Sequence, residues 1–221
     1  MYKLLIFDWD GTIIDSTGRI VSSIRAAARD LDLPLPTVNA ARDIIGLGLP
    51  EAIRTLFPTL GDEVIEPMKQ RYAHYYLDVD ETPVALFPGV AHTLESLRNK
   101  GYRLAVATGK SRRGLDHVFA ETGLGWLFEL SRCADETSSK PDPQMLHEIL
   151  EHTGVDQNAA LMIGDTEYDL EMGRRAGVDT VAVSYGAHHL DRLRPLGPVK
   201  TVHQFPELER WLDGLQDKSI S

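Results

Sequence analysis

The sequence predicts an α/β fold: a parallel sheet flanked by helices, interrupted after its first strand by an all-helical insertion. Three observations predict it. Short, continuous apolar runs end in polar or glycine-bearing turns. From about residue 84 onward these runs alternate with helical stripes, and residues 16–83 carry helical stripes with no convincing strand between them. A continuous apolar run suits a strand covered on both faces, as in a parallel sheet, whereas a strand with one wet face alternates.

In chain order, Leu4-Leu5-Ile6-Phe7 is the first strand, closed by Asp8-Trp9-Asp10-Gly11. Ile20, Ile24, Ala27, Ala28 and Leu31 then form one helical stripe. Ile53, Leu56 and Phe57 follow Pro50, a residue suited to a first helical turn. Ile65, Met68, Tyr72 and Tyr75/Tyr76 form a further stripe. Beyond residue 84, Val90, Leu94 and Leu97 lie between Pro88 and Gly101 and predict a helix. Arg103 to Ala107 predicts a strand ending in Thr108-Gly109-Lys110, and Leu115, Val118 and Phe119 a helix stopped near Gly123. Leu127 to Leu130 is a further strand candidate. Met145 to Leu150 predicts a helix, Leu161-Met162-Ile163 a strand ending in Gly164-Asp165-Thr166, and Leu170 to Ala176 a helix. Thr180 to Val183 is the last predicted strand. The expected organisation is a core of residues 1–15 and 84–221 with a helical subdomain of residues 16–83.

Composition narrows the function classes. There are 23 Lys plus Arg against 33 Asp plus Glu, a formal charge of −10. That balance opposes the spread electrostatic grip that nucleic acids and anionic membranes require. The four-residue apolar run at the start is too short for a signal-peptide core or a membrane span. A single cysteine, Cys133, excludes an internal disulfide scaffold and fits a reducing compartment, so cytoplasm is the expected location.

Ligands of open parallel sheets bind at the carboxyl ends of strands. The polar residues gathered there are Asp8, Asp10, Thr108, Asp165 and Asp169, joined by Lys140 from the loop Ser138-Ser139-Lys140-Pro141-Asp142-Pro143. Singly, each has an ordinary explanation as a turn, a loop residue or a helix cap. Their joint appearance in this order, with most of them directly after a strand, is what points to a site.

Phe7-Asp8-Trp9-Asp10-Gly11-Thr12 resembles the first motif of the haloacid dehalogenase (HAD) superfamily. Thr108-Gly109 resembles its second, Lys140 its third, and Gly164-Asp165-Thr166-Glu167-Tyr168-Asp169 its fourth. The helical insertion after the first motif resembles the cap of the phosphoglycolate phosphatase-like subgroup. The resemblance implies an open, doubly wound, Rossmann-like core with a helical cap, and a Mg²⁺-dependent phosphatase acting on a small phosphorylated metabolite, phosphoglycolate first. It implies that Asp8 is the nucleophile of an aspartyl-phosphate mechanism and Asp10 the general acid and base. Asp8, the Asp10 backbone carbonyl and Asp165 would be ligands of Mg²⁺, with Asp169 binding through water or orienting Lys140. Thr108, Gly109 and Lys140 would hold phosphoryl oxygens.

Other reactions of the same family stay open: pyrophosphate hydrolysis, sugar-phosphate hydrolysis and β-phosphoglucomutase-like transfer. So does a catalytically dead HAD binding module, which the complete residue set opposes. Asp10 favours phosphoryl transfer over dehalogenation, and Lys69 as the one lysine of the insertion opposes phosphonate cleavage. Arg42, before the break Gly46-Leu47-Gly48, is the substrate-binding candidate of the insertion, and that break is expected over the site. Trp9 is expected to pack beside the strand end, His188 and His189 to be solvated loop residues, and Tyr72, Tyr75 and Tyr76 to be core of the insertion or an interface. A monomer and a homodimer are both compatible with the sequence.

Overall fold

The first strand lies inside the sheet, not at its edge. In the computed structural model, which describes residues 1–217, β1 (Leu4–Phe7) is flanked by β4 (Arg103–Thr108) and β6 (Ala160–Gly164), all parallel. The six-stranded order is β5 (Leu130–Cys133), β4, β1, β6, β7 (Asp179–Val183), β8 (Lys200–Val202). The chain thus winds outward from β1 in one direction, returns, and winds outward in the other. The crevice where the winding reverses is where such sheets bind ligands. Phe7 pairs with Val106 and with Ile163, so Asp8, Thr108 and Asp165 all emerge at the same end of three adjacent strands.

The apolar runs are continuous because both faces are covered. Leu5 and Phe7 join one core with Val90, Leu94 and Leu97 of α5 (Val90–Asn99), Leu115 and Val118 of α6 (Arg112–Thr122), and Leu208 of α10 (Pro206–Asp217). Leu4 and Ile6 point the other way, onto Met145, Leu146 and Ile149 of α7 (Gln144–Thr153) and Met172 of α8 (Glu167–Ala176). A four-residue helix, α9 (Leu190–Leu193), follows β7.

The insertion leaves and re-enters through a two-stranded antiparallel ribbon, β2 (Ile14–Asp15) with β3 (Ala85–Leu86). Between them lie α1 (Thr17–Asp30), α2 (Val38–Asp43), α3 (Leu49–Leu56) and α4 (Ile65–His74), the last extended by a π-helical turn, Tyr75–Val79. Their apolar stripes meet in a separate core of Ile20, Ile24, Ala27, Ala28, Ile53, Met68 and Tyr76, which also takes in Ala187 from the loop after β7. Pro50 does stand in the first turn of α3.

Three features depart from the sequence reading. The strand expected over Leu127–Leu130 begins only at Leu130, because Gly125–Leu127 forms a 3-10 turn. β5 reads Leu-Ser-Arg-Cys, an edge strand with too few apolar residues for a periodicity signal. β8 and the ribbon, at three and two residues per strand, are likewise too short to register. Among the described residues, no helix is long and apolar enough to cross a membrane.

Ile53 is fully buried at the centre of the helical core. Ile53→Ala removes three carbons there and is expected to cost about 2–5 kcal/mol, read as a shift in the urea unfolding midpoint; an unshifted midpoint would mean that this core does not support the fold.

Candidate active site

The strand ends bring four acids and two lysines together. The Lys140 side chain is fully buried and its Nζ donates to Asp8 Oδ1 at 2.6 Å and to Asp169 Oδ1 at 2.6 Å. Asp169 is held in turn by its place in α8. Its second oxygen accepts from the Thr166 backbone N–H at 3.1 Å and from Thr166 Oγ1 at 2.7 Å, and the Thr166 side chain caps the helix. This capping box explains why an acid stands in the first turn of α8: it satisfies orphan N–H groups and meets the positive end of the helix dipole. With both oxygens engaged, Asp169 has the geometry of a group that orients Lys140.

Asp165 accepts from Thr12 Oγ1 at 2.9 Å and from the Ala187 N–H at 2.6 Å. Two glycines permit its position. A Cβ on Gly11 would come within 2.2 Å of Asp165 Oδ2, and Gly11 also has φ +82°; a Cβ on Gly186 would meet the same oxygen at 2.2 Å. Burial pushes the Asp165 carboxyl up to about 7, with Asp169 adding to the effect. Burial also raises the Asp8 carboxyl well above the usual carboxylate range, against the pull of Lys140. Burial opposes the charge on Lys140, but Asp169 and Asp8 outweigh it and hold the ammonium above its ordinary pKa.

Ligand oxygens of Asp8, Asp165 and Asp169 lie within 4.8 Å of one another, and all three residues are buried. Asp8 Oδ2 is buried without a hydrogen-bond partner. An orphaned carboxylate oxygen among carboxylates, in a pocket that disfavours their charge, fits a hard divalent cation with oxygen ligands.

Asp10 stands apart from that cluster. Its Oδ1 accepts from Ser16 Oγ at 2.5 Å and pairs with Lys110 Nζ at 3.1 Å. Lys110 also donates to the Tyr76 hydroxyl at 3.3 Å, with its Nζ 4.7 Å from the ring centroid. Burial opposes the Lys110 charge, yet Asp10 and the two tyrosines Tyr76 and Tyr72 keep its pKa raised. The sequence reading included neither Lys110 nor Tyr76, nor Ser16 and Thr12, in the site. Lys110, two residues past Thr108 in the same turn, was within reach of a motif-based reading; Tyr76 is brought in only by packing of the insertion.

Thr108 is buried and its hydroxyl accepts from the Lys110 N–H at 3.1 Å. The break Gly46-Leu47-Gly48 does lie over the site. A Cβ on Gly109 would come within 2.6 Å of the Gly46 and Leu47 carbonyl oxygens, a Cβ on Gly46 within 2.9 Å of Thr166 Oγ1, and the Gly48 N–H donates to Ser139 Oγ at 2.7 Å. Beside it opens a cavity of about 620 Å³, lined by Asp8, Asp10, Gly109 and Lys110 together with Ile20, Ile24, Ile45, Leu49, Tyr72 and Tyr76 of the insertion.

Arg42 does not line this cavity. Its guanidinium donates to the carbonyls of Ala187 at 2.9 Å and Gly186 at 2.8 Å, gripping the loop whose Ala187 N–H holds Asp165. His188, expected to be solvated, is buried instead: Nδ1 accepts from the Glu167 N–H at 3.1 Å while Nε2 faces the Asp43 carbonyl at 3.1 Å. The reason is that the last residues of α2 dock on this loop, a contact between segments 145 positions apart in the sequence. His189 is exposed. Trp9 is fully buried, edge-on to Phe119 and Phe128.

Residues 5–183 match the family model described as haloacid dehalogenase-like hydrolase. The chain is 35% identical over 212 residues to "Probable phosphatase IndB" of Dickeya dadantii, covering 94% of this chain and 92% of that protein. It is 32% identical over 197 residues to a "Phosphoglycolate phosphatase" of Pasteurella multocida, covering 85% and 88% respectively. A crystal structure described as a hydrolase from Pseudomonas syringae superposes with a TM-score of 0.87 at 23% identity, over 96% of this chain and 98% of that one, a likeness of fold.

The raised Asp165 carboxyl has a stability consequence. Its folded pKa of about 7 lies above the ordinary 3.8, so its contribution is fully present below pH 3.8 and is lost as the pH rises through about 7. In chelated protein, the difference in melting temperature between wild type and Asp165→Asn should therefore shift in favour of the variant across that window. Added divalent cation should raise the wild-type melting temperature and leave the variant nearly unmoved. A pH-independent difference would overturn the burial account.

Proposed function

This chain belongs to the haloacid dehalogenase-like hydrolases and is one of their phosphatases, and we propose that it hydrolyses a small phosphorylated metabolite through an aspartyl-phosphate at Asp8. The observation that carries the reading is the state of Asp8: one oxygen is fixed by buried Lys140 and the other is buried with no hydrogen-bond partner. Lys140 takes one lone pair of this carboxylate, and the remaining ones are available to the cation and to phosphorus.

In the first step Asp8 attacks phosphorus, the bond to the leaving oxygen breaks, and Asp10 gives that oxygen its proton. In the second, Asp10 takes a proton from water as the water attacks phosphorus, which returns the Asp8 carboxylate and releases phosphate. Splitting one displacement into two, each with a positioned proton donor or acceptor, is what a carboxylate pair can supply. The Thr108 hydroxyl and Lys140 hold the transferring phosphoryl oxygens. Asp8, Asp165 and the Asp10 backbone carbonyl would hold Mg²⁺, with Asp169 keeping Lys140 in place. Mg²⁺, when bound, offsets negative charge and aligns the phosphoryl group. The charge count supports this need. With Asp10 protonated for its acid role, Asp8, Asp165 and Asp169 exceed the two lysines Lys110 and Lys140 by one negative charge, which one divalent cation reverses before a phosphate dianion arrives.

Residues 16–83 act as a cap on the core of residues 1–15 and 84–217, residues 218–221 lying outside the described residues, and close over the site with Gly46-Leu47-Gly48 against the strand-end turns. Phosphoglycolate is the first candidate substrate, because relatives such as the P. multocida protein carry that name. A second reading, a bulkier phosphomonoester, is favoured by the cavity of about 620 Å³ with its isoleucine, leucine and tyrosine wall, since pockets of roughly 300–1,000 Å³ bury ligands much larger than a two-carbon acid. The free cysteine suits a cytoplasmic enzyme.

A phosphate-release screen over phosphoglycolate, pyrophosphate, sugar phosphates, nucleotides and aryl phosphates tests the reading. Asp8→Asn is expected to abolish turnover, Asp10→Asn to lower kcat by roughly 10²–10⁴-fold, and chelation to stop the reaction until Mg²⁺ is restored. Undiminished turnover by Asp8→Asn would reject the mechanism, and isomerised product in place of phosphate would assign a mutase.

A further inference from the structure

Arg42 spends its guanidinium on two successive backbone carbonyls, with no carboxylate among its partners. The first of these carbonyls matters most. Arg42 Nη2 donates to the Gly186 carbonyl at 2.8 Å, and the Ala187 N–H of the same peptide group donates to Asp165 Oδ2 at 2.6 Å. A peptide group is planar and stiff, so its two ends are placed together. A hydrogen bond accepted by its carbonyl also polarises the group and strengthens its N–H as a donor. Arg42 Nε takes the next carbonyl, that of Ala187, at 2.9 Å. The rigid fork therefore sets the tilt of this loop as well as its position, a geometry that a lysine ammonium does not carry.

Asp165 is sensitive to that tilt. Its carboxylate is oriented by two donors, Thr12 Oγ1 on one oxygen and the Ala187 N–H on the other. The loop lies so close that a Cβ on Gly186 would come within 2.2 Å of Asp165 Oδ2. A small movement of the peptide is thus passed to the carboxylate. The neighbouring Asp43 supplies the contrast. Its carboxylate pairs with Arg192 at 2.6 Å and its carbonyl accepts from the Tyr168 hydroxyl at 2.9 Å. These contacts also seat the end of α2 on the core, but neither engages the Gly186–Ala187 peptide.

We propose that Arg42 is a positioning residue: from the insertion it holds the Gly186–Ala187 peptide, and through that peptide it orients Asp165 for a divalent cation. Seating of the insertion and binding of the cation then strengthen each other, and by linkage each does so by the same factor. The proposal rests on the reading of Asp165 as a ligand of Mg²⁺ and adds a residue of the insertion, outside the cavity, that tunes it.

The test measures Mg²⁺ binding by calorimetric titration of the full chain without substrate, so turnover is not the readout. Arg42→Met is expected to weaken binding by roughly 3- to 10-fold, the span of one ordinary hydrogen bond, and Arg42→Lys to recover only part of the loss. Asp43→Asn loosens the seating through an exposed ion pair and should stay within about twofold of wild type. The sign is decisive, because removing a positive charge would by charge alone tighten cation binding. Unchanged or tighter binding by Arg42→Met overturns the proposal. Equal weakening by Asp43→Asn also overturns it and assigns the effect to seating of the insertion in general. Hydrogen exchange of wild type supplies a second measurement, decisive even if Arg42→Met does not fold: Mg²⁺ should slow exchange of the amides of residues 38–45, and exchange there that ignores Mg²⁺ overturns the coupling. Absence of Mg²⁺ binding by wild type, with Asp165→Asn indistinguishable, rejects the metal reading itself and the proposal with it.

Discussion

A lysine ammonium buried between two carboxylates organises this molecule. Lys140 is drawn from a loop between β5 and α7, yet its Nζ lies within 2.6 Å of Asp8 after the central strand and of Asp169 in the first turn of α8. Three ionised groups removed from water would be prohibitive if any one lacked its partner. The surroundings are arranged so that none does. Thr166 holds Asp169, Asp169 and Asp8 hold Lys140, and one oxygen, Asp8 Oδ2, is left without a hydrogen-bond partner. The sheet register serves this arrangement: with Phe7 level with Val106 and Ile163, the side chains that follow arrive at one height.

The glycines at the site follow from the same crowding. Gly11 and Gly186 press on Asp165 from two sides, and any side chain at either would collide with its carboxylate. Gly109 lets the backbone of the insertion at Gly46 and Leu47 come down on the turn that carries Thr108. The helical insertion therefore touches the second, third and fourth strand-end motifs at once, through Gly109, Ser139 and Thr166. Arg42 and the end of α2 add a second attachment on the loop of Gly186, Ala187 and His188. That loop also supplies the N–H that holds Asp165, so the seating of the insertion and the placement of an active-site acid share one segment.

Much of this was legible from residue order. The apolar runs of β1, β4, β6 and β7 are continuous because helices cover both faces, and burial of that kind leaves a local signal. Asp8, Asp10, Thr108, Lys140, Asp165 and Asp169 could be gathered because strand ends of a parallel sheet point the same way. Edge strand β5 and the short β8 left no such signal, since a strand of three or four residues with polar members gains its identity from the neighbour it pairs with. His188 reads as a loop residue and is buried, because what covers it, the Asp43 carbonyl, comes from the insertion.

The sequence by itself determined the layering, the inserted helical block, the family and the set of acids with their lysine, because each is written in local periodicity or in a motif of contiguous residues. The tertiary structure alone decided how those groups are shared. It gave Lys140 to both Asp8 and Asp169, turned Asp10 toward Ser16 and Lys110, and set Arg42 on a backbone loop away from the cavity. Which partner a buried charge takes depends on distances of a few tenths of an ångström between elements remote in sequence, and those distances are fixed only when the sheet and the insertion have packed.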